Sequence, residues 1–234
     1  MEKLNTINKT ARLAGLWYLM VTLFASFAGY VSSQIIIPGD AASTIENILS
    51  SESLFRFGFV SDLIGQVMHI VLVLALYKIL EQVNQTQAKL MASFGLIAVP
   101  ITMLNLLNSY SALIPLSNTD YLNAIDVNLL HAQAMHCLEM YKGGFFIVQI
   151  FWGLWLFPLG YLVFKSGFLP KFIGVLLIIA GIGYLVDFSV YFLLPKIDLE
   201  IKIYTFIGEI VLTFWLLIKG VNIDLWNKQV LKHN

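Results

Sequence analysis

Three acids lie inside stretches that are otherwise almost free of charge: Asp62, Asp187 and Glu209. A carboxylate at mid-membrane costs roughly 2.5–3.5 kcal/mol on insertion scales. Three gathered together cannot all stay ionised without a counter-charge. The chemistry open to them is protonation, pairing with Arg56 or His69, or coordination of a bound cation. Helical spacing gives each acid small or polar company. Gly58, Asp62, Gln66 and His69 fall on one face, with Gly65 beside them. Ala180, Gly183 and Asp187 share another, and Thr205, Glu209 and Thr213 a third. Thr102, Asn105 and Ser109 have compatible spacing, with Asn108 one position away, and Gln149 adds a further amide. The stripe Ala25, Gly29 and Ser33 carries no chemistry and reads as helix packing.

The elements that must position these residues are membrane spans. The chain has 234 residues, 59% hydrophobic and 12% charged, with a mean hydropathy of +0.81. Soluble domains carry about 25% charged residues, so a soluble globule is excluded, as are disordered, collagen-like and coiled-coil classes. A crossing helix needs about 20 apolar residues. Six stretches qualify, at about 13–37, 57–80, 90–114, 144–164, 172–194 and 203–218. Pro100 inside the third is tolerable where neighbouring helices satisfy the freed carbonyl. The first stretch is too long for a signal-peptide core and reads as a retained span. The fold expected is an all-α integral membrane helical bundle, a single polytopic domain over residues 1–234.

Orientation follows from lysine and arginine. With the N-terminus inside, the inner segments hold Lys3, Lys9, Arg12, Lys78, Lys89, Lys165, Lys171, Lys219, Lys228 and Lys232. The outer segments hold Arg56, Lys142, Lys196 and Lys202. Both termini are therefore expected in the cytoplasm. The outer segment between spans 3 and 4 has helical composition from Asp120 to Lys142, so it either extends the fourth helix or lies along the surface. Counted from the span ends at 1.5 Å per residue, Asp62, Asp187 and Glu209 lie about 8, 12 and 9 Å deep in the outer half. The expectation is an outward-facing polar cavity, floored by His69, that takes a proton, an ion or a small polar ligand. Its candidate residues are Asp62, His69, Asp187, Glu209, Gln66, Asn105 and Arg56.

Other chemistries lack their patterns. Neither H-E-x-x-H nor C-x-x-C spacing is present. His131 and His136 are five apart and diverge on a helix, which suits an interfacial face, and His233 belongs to a polar tail. A zinc site would have to be assembled in space, from His69, Asp62 and an outer-loop histidine; no metal and no cofactor is expected. Cys137 reads as a lone thiol without a placed base. Fourteen bases balance fourteen acids, so no basic surface suggests nucleic acid. Trp17, Tyr161, Trp215 and Trp226 sit toward span ends as an aromatic belt, while Trp152 and Trp155 lie deeper and read as packing. A weak internal similarity pairs Arg12-Leu-Ala-Gly15 with Lys171-Phe-Ile-Gly174, each followed by a proline and then by a span carrying Asp62 or Glu209.

Longer segments carry a resemblance. They are Arg12-Leu-Ala-Gly-Leu-Trp-Tyr-Leu19, Pro38-Gly-Asp-Ala41, Ser53-Leu-Phe-Arg56, Phe164-Lys-Ser-Gly-Phe-Leu-Pro-Lys171, Gly181-Ile-Gly-Tyr-Leu-Val-Asp187 and Trp215-Leu-Leu-Ile-Lys-Gly220. Together they resemble the bacterial membrane family known as domain of unknown function 4386. The resemblance implies a multi-pass protein of the bacterial inner membrane and supplies no activity, cofactor or site residue. Two other readings stand beside ligand binding by the three acids: an intramembrane metal-dependent hydrolase, and a scaffold for partner proteins. The partners expected are the lipid bilayer, a small polar ligand or cation, and a second copy in a homodimer, since six spans are few for a transporter.

Overall fold

The computed structural model describes residues 2–117, 125–197 and 199–231, and every regular element among them is a helix. In chain order these are α1 (Glu2–Ile35), α2 (Ala41–Ser50), α3 (Glu52–Leu80), α4 (Gln85–Ser111), α5 (Val127–Ser166), α6 (Lys171–Leu193), α7 (Lys202–Thr205), α8 (Ile207–Ile218) and α9 (Ile223–Leu231). Residues 118–124, Lys232 and His233, named in the sequence reading, lie outside the described residues.

Local chemistry sets the helix ends. Pro38-Gly39 closes α1, with Gly39 at φ 78°, a conformation that favours glycine. Asp40 then caps α2, accepting hydrogen bonds from the Ser43 N–H at 3.0 Å and the Ser43 hydroxyl at 2.7 Å. Asn84 caps α4 through the Gln87 N–H at 3.0 Å, and Asp126 accepts from the Asn128 N–H at 2.8 Å as α5 begins.

Among the described residues, five helices are long and apolar enough to cross a membrane: 7–35 of α1, α3, α4, α5 and α6. A sixth is added if Lys202–Ile218 and Ile223–Gln229, bent by 104° to each other, are taken as one span. Large apolar side chains such as Phe57, Leu104 and Leu193 face outward, as a lipid solvent permits and water does not.

Several helices run beyond the apolar stretches expected to span. Hydropathy marks only the apolar stretch, whereas a helix continues until something caps or breaks it. The helix that holds the second stretch begins at Glu52, and the one that holds the third at Gln85. The fourth lies within a single 40-residue helix that starts at Val127. The sixth is interrupted at Phe206. Ala25, Gly29 and Ser33, expected to pack, are exposed, and nothing lies within 4 Å of a side chain built at Gly29.

The chain divides into two compact units. Unit 1 comprises residues 1–20, 68–99 and 146–234. Within it α5 meets α6 at two glycine pairs. A Cβ on Gly153 would come within 2.9 Å of the Gly181 carbonyl oxygen, and one on Gly160 within 2.7 Å of the Gly174 carbonyl. Only backbone fits at those crossings, the close approach that small residues allow in membranes. Unit 2 comprises residues 21–67 and 100–145. Its core gathers Ile45 and Ile48 of α2 against Val31, Ile35, Phe55, Leu113 and Leu138. Asn47 anchors α2 there by donating to the Ile35 carbonyl at 3.2 Å.

Candidate functional site

In unit 1, Glu209 stands in the first turn of α8, where the helix dipole favours an acid. It is 6% exposed, and each of its oxygens has a phenol donor. The Tyr18 hydroxyl donates to Oε2 at 2.5 Å and the Tyr184 hydroxyl to Oε1 at 2.9 Å. Short bonds of this kind to a carboxylate are among the strong ones. Tryptophans hold the phenols in place. Tyr18 packs on Trp155 with ring centroids 6.1 Å apart, and Tyr184 meets Trp152 at 6.2 Å. Trp155 also meets His69, with ring centroids 5.1 Å apart. His69 is buried, and its Nε2 has no hydrogen-bond partner among the described residues. The same holds for both amide atoms of Gln149, which is fully buried.

Asp187 of α6, also in unit 1, is fully buried. Its Oδ1 accepts from the Ile201 N–H at 2.7 Å and its Oδ2 from the Lys202 N–H at 3.1 Å. These N–H groups belong to the start of α7, where a helix leaves donors without intrahelical partners. Asp187 thus caps α7 from a neighbouring helix. The Lys202 ammonium lies 3.8 Å from Oδ2, also pairs with Glu200 at 2.9 Å, and sits 5.2 Å from the centre of the Phe146 ring.

Unit 2 holds a different kind of carboxylate. Asp62 of α3 is half-buried, and among the described residues its side chain has one hydrogen bond, from the Gln66 amide to Oδ1 at 3.1 Å. It lines a cavity of about 30 Å³ together with Ser32, Ser109, Tyr141 and an apolar remainder that includes Val31 and Phe55. The phenol of Tyr141 is within electrostatic reach of Asp62 but donates no hydrogen bond to it. The Tyr141 carbonyl accepts from Asn105 Nδ2 at 2.9 Å, and Asn105 Oδ1 accepts from Asn108 at 3.2 Å. Gly144 makes room for that amide, since a Cβ there would overlap Asn105.

The structure sorts the residues expected from sequence. Gln66 touches Asp62, whereas Asn105 stands behind Tyr141 rather than in the cavity lining. His69 pairs with no carboxylate among the described residues. Arg56 engages Glu52 and Tyr110 among the described residues. It is exposed, with Nη2 2.7 Å from Glu52, Nη1 donating to the Tyr110 hydroxyl at 3.2 Å, and its guanidinium 5.5 Å from the Tyr110 ring centre. The reason is reach, because Glu52 sits one turn back on the same helix. Among the described residues no group of three or more histidines, cysteines or acids is gathered closely enough to hold a metal ion. Tyr18, Tyr184 and Tyr141 were not anticipated. For Tyr18 and Tyr184 the signal was position, since a tyrosine inside a span needs a partner for its hydroxyl; Tyr141 precedes the expected fourth span and carried no such signal.

Comparison with known proteins places the chain without assigning it an activity. A protein of Archaeoglobus fulgidus, described only as an uncharacterized protein, is 49% identical over 75 residues, which is 30% of this chain and 43% of the relative. The match thus covers less than half the length of that relative. No solved structure matches significantly. The family model for a domain of unknown function (DUF4386) matches residues 13–220, from the first turns of the α1 span to the glycine that ends α8, and the chain belongs to that family.

Proposed function

We propose that this chain is a six-span protein of the cytoplasmic membrane, with both termini inside, that binds a proton or small cation at Asp62 from the outer face for transport or sensing. The observation that carries the reading is the state of Asp62. It is an acid in a candidate span, partly open, with one hydrogen bond and a small cavity against it. Intramembrane acids are costly and default to function, and Asp62 is the one of the three with an oxygen that no donor among the described residues takes up. Lysine and arginine placement supports the orientation. In this reading α7 and α8 form the sixth span and α9 runs along the cytoplasmic surface. There Trp226 Nε1 donates to the Ile79 carbonyl at the end of α3, at 3.1 Å.

The test is cation and proton binding by purified protein in lipid nanodiscs. Loss of binding in Asp62→Asn, with the fold intact, supports the reading. Unchanged binding in that variant overturns it. A second reading, a membrane scaffold, is favoured by Asp187 and Glu209, whose oxygens are all engaged within the chain. It would stand if Asp62→Asn, Asp187→Asn and Glu209→Gln left both fold and phenotype unaltered.

A further inference from the structure

We propose that the Asp62 cavity is a site for one dehydrated monovalent cation of sodium size, with Tyr141, Ser32 and Ser109 supplying the oxygens that Asp62 does not. The inference rests on the reading of Asp62 as a binding residue and names its ligand and its other ligating groups.

Charge comes first. Among the described residues one carboxylate lines the cavity, and Arg56 is committed to Glu52 and Tyr110. A single negative charge neutralises a monovalent cation, whereas a divalent ion would leave an uncompensated positive charge in an apolar surround, at high cost. Size comes second. A cavity of about 30 Å³ has room for a water-sized sphere, which suits a small ion stripped of its water better than a bulky organic ligand.

Ligand chemistry comes third. A cation entering so small a space must exchange its hydration shell for protein oxygens, and small hard cations take oxygen ligands. Four side chains lining the cavity carry oxygen, those of Asp62, Tyr141, Ser32 and Ser109. The hydroxyls of Ser32 and Ser109 make no hydrogen bond among the described residues. Asp62 has committed one oxygen, to Gln66. The Tyr141 phenol feels the Asp62 charge without bonding to it, the relation expected of two groups facing one ion from different helices.

A supporting structure holds Tyr141 in place. Asn105 grips its carbonyl, Asn108 holds Asn105, and Gly144 is the gap that admits the Asn105 amide. Asn105 is therefore a positioning residue for the site and not a ligand.

The experiment is equilibrium binding of radioactive sodium to the full chain in nanodiscs, with lithium, potassium and protons as competitors. Thermal unfolding of each variant is recorded alongside. The wild type is expected to bind one sodium, displaced by lithium more readily than by potassium. Tyr141→Phe keeps the ring and is expected to weaken sodium at least about tenfold with an unchanged unfolding temperature. Ser109→Ala is expected to weaken it by a smaller factor. Asn105→Ala and Gly144→Ala are expected to raise the sodium Kd without removing the site. Wild-type sodium affinity in Tyr141→Phe overturns this inference, and if Asp62→Asn still abolishes binding, the reading of Asp62 survives. Proton uptake at Asp62 with no sodium binding in the wild type likewise overturns the cation and leaves the proton. Wild-type binding of both in Asp62→Asn overturns the inference and the reading together.

Discussion

Glu209 and Asp62 are both acids within apolar helices, and the chain treats them in opposite ways. Glu209 is closed off, with two phenols donating to its two oxygens and an indole ring behind each phenol. Asp62 has one amide and a small cavity. The difference teaches what an intramembrane carboxylate can be for. When the chain itself supplies every donor, the acid works as a fastener between helices. When the chain supplies one and leaves space, the remaining coordination is open to something else. Asp187 belongs with Glu209, because its oxygens are occupied by the backbone donors of α7.

The comparison breaks most visibly at Asp187. Replacing it with alanine strips two half-buried N–H groups of their acceptor and removes a partner of the half-buried Lys202. Orphaned buried donors cost about 1–3 kcal/mol each, so Asp187→Ala is expected to lose roughly 2–5 kcal/mol, read as a large fall in unfolding temperature in detergent. Asp187→Asn keeps an acceptor and should lose distinctly less. An alanine variant as stable as wild type would show that α7 does not depend on this cap.

Next in size are the phenols. Tyr18→Phe leaves Glu209 Oε2 without its donor, and Tyr184→Phe does the same for Oε1. Hydrogen bonds to charged groups contribute about 1.5–3 kcal/mol, so each variant should unfold earlier by that order. Because the two serve one carboxylate, the double variant should depart from the sum of the singles. Additive losses would mean that the two phenols act independently and that Glu209 is not their common fastener.

Much of this arrangement was open to reading from sequence, and the parts that were not share a physical cause. Few charges and long apolar runs identify a helical membrane protein, because no water-soluble core could hide them. The three acids stand out for the same reason. Their partners do not. Tyr18 and Glu209 are 191 residues apart, and no periodicity links them. Arg56 shows what a helix end changes. With an apolar stretch begun at 57, Arg56 reads as a loop cation. With the helix begun at Glu52, Arg56 has an i, i+4 partner on its own helix. Asn105 reads as a ligand because a buried amide in a span invites that role, but only the fold reveals Tyr141 in front of it. The exposed stripe of Ala25, Gly29 and Ser33 marks a further limit, since small residues permit close packing without requiring it within one chain.

A smaller effect tests the cap of α2, the helix whose Ile45 and Ile48 build the core of unit 2. The hydrogen bonds from Ser43 hold the exposed Asp40 carboxyl below its ordinary value. Its stabilising contribution is therefore present above the unfolded-state pKa, about 3.9, and is lost as pH falls through the lower folded value. Protection of the α2 amides, measured relative to their intrinsic exchange rates, should fall below about pH 4. In Asp40→Ala, exchange should be faster throughout and should no longer respond to that titration. An acid response surviving the substitution would assign it to another group.

The smallest expected change in stability is at Asp62, and there the contrast with Glu209 is sharpest. Asparagine at this position can still accept from Gln66, so the hydrogen bond at Oδ1 persists, while the cost of placing a charge in the span disappears. Asp62→Asn should therefore unfold at the wild-type temperature or above it, in the same detergent in which Asp187→Ala falls. Site residues held in place by the fold rather than holding it together are commonly replaceable without loss of stability, and with a gain when the native group is strained by burial. A pronounced loss of stability in Asp62→Asn would move Asp62 into the class of Glu209, as one more fastener whose cavity is incidental. Unimpaired stability together with lost cation or proton binding would leave the fasteners and the site as two separate uses of the same residue type.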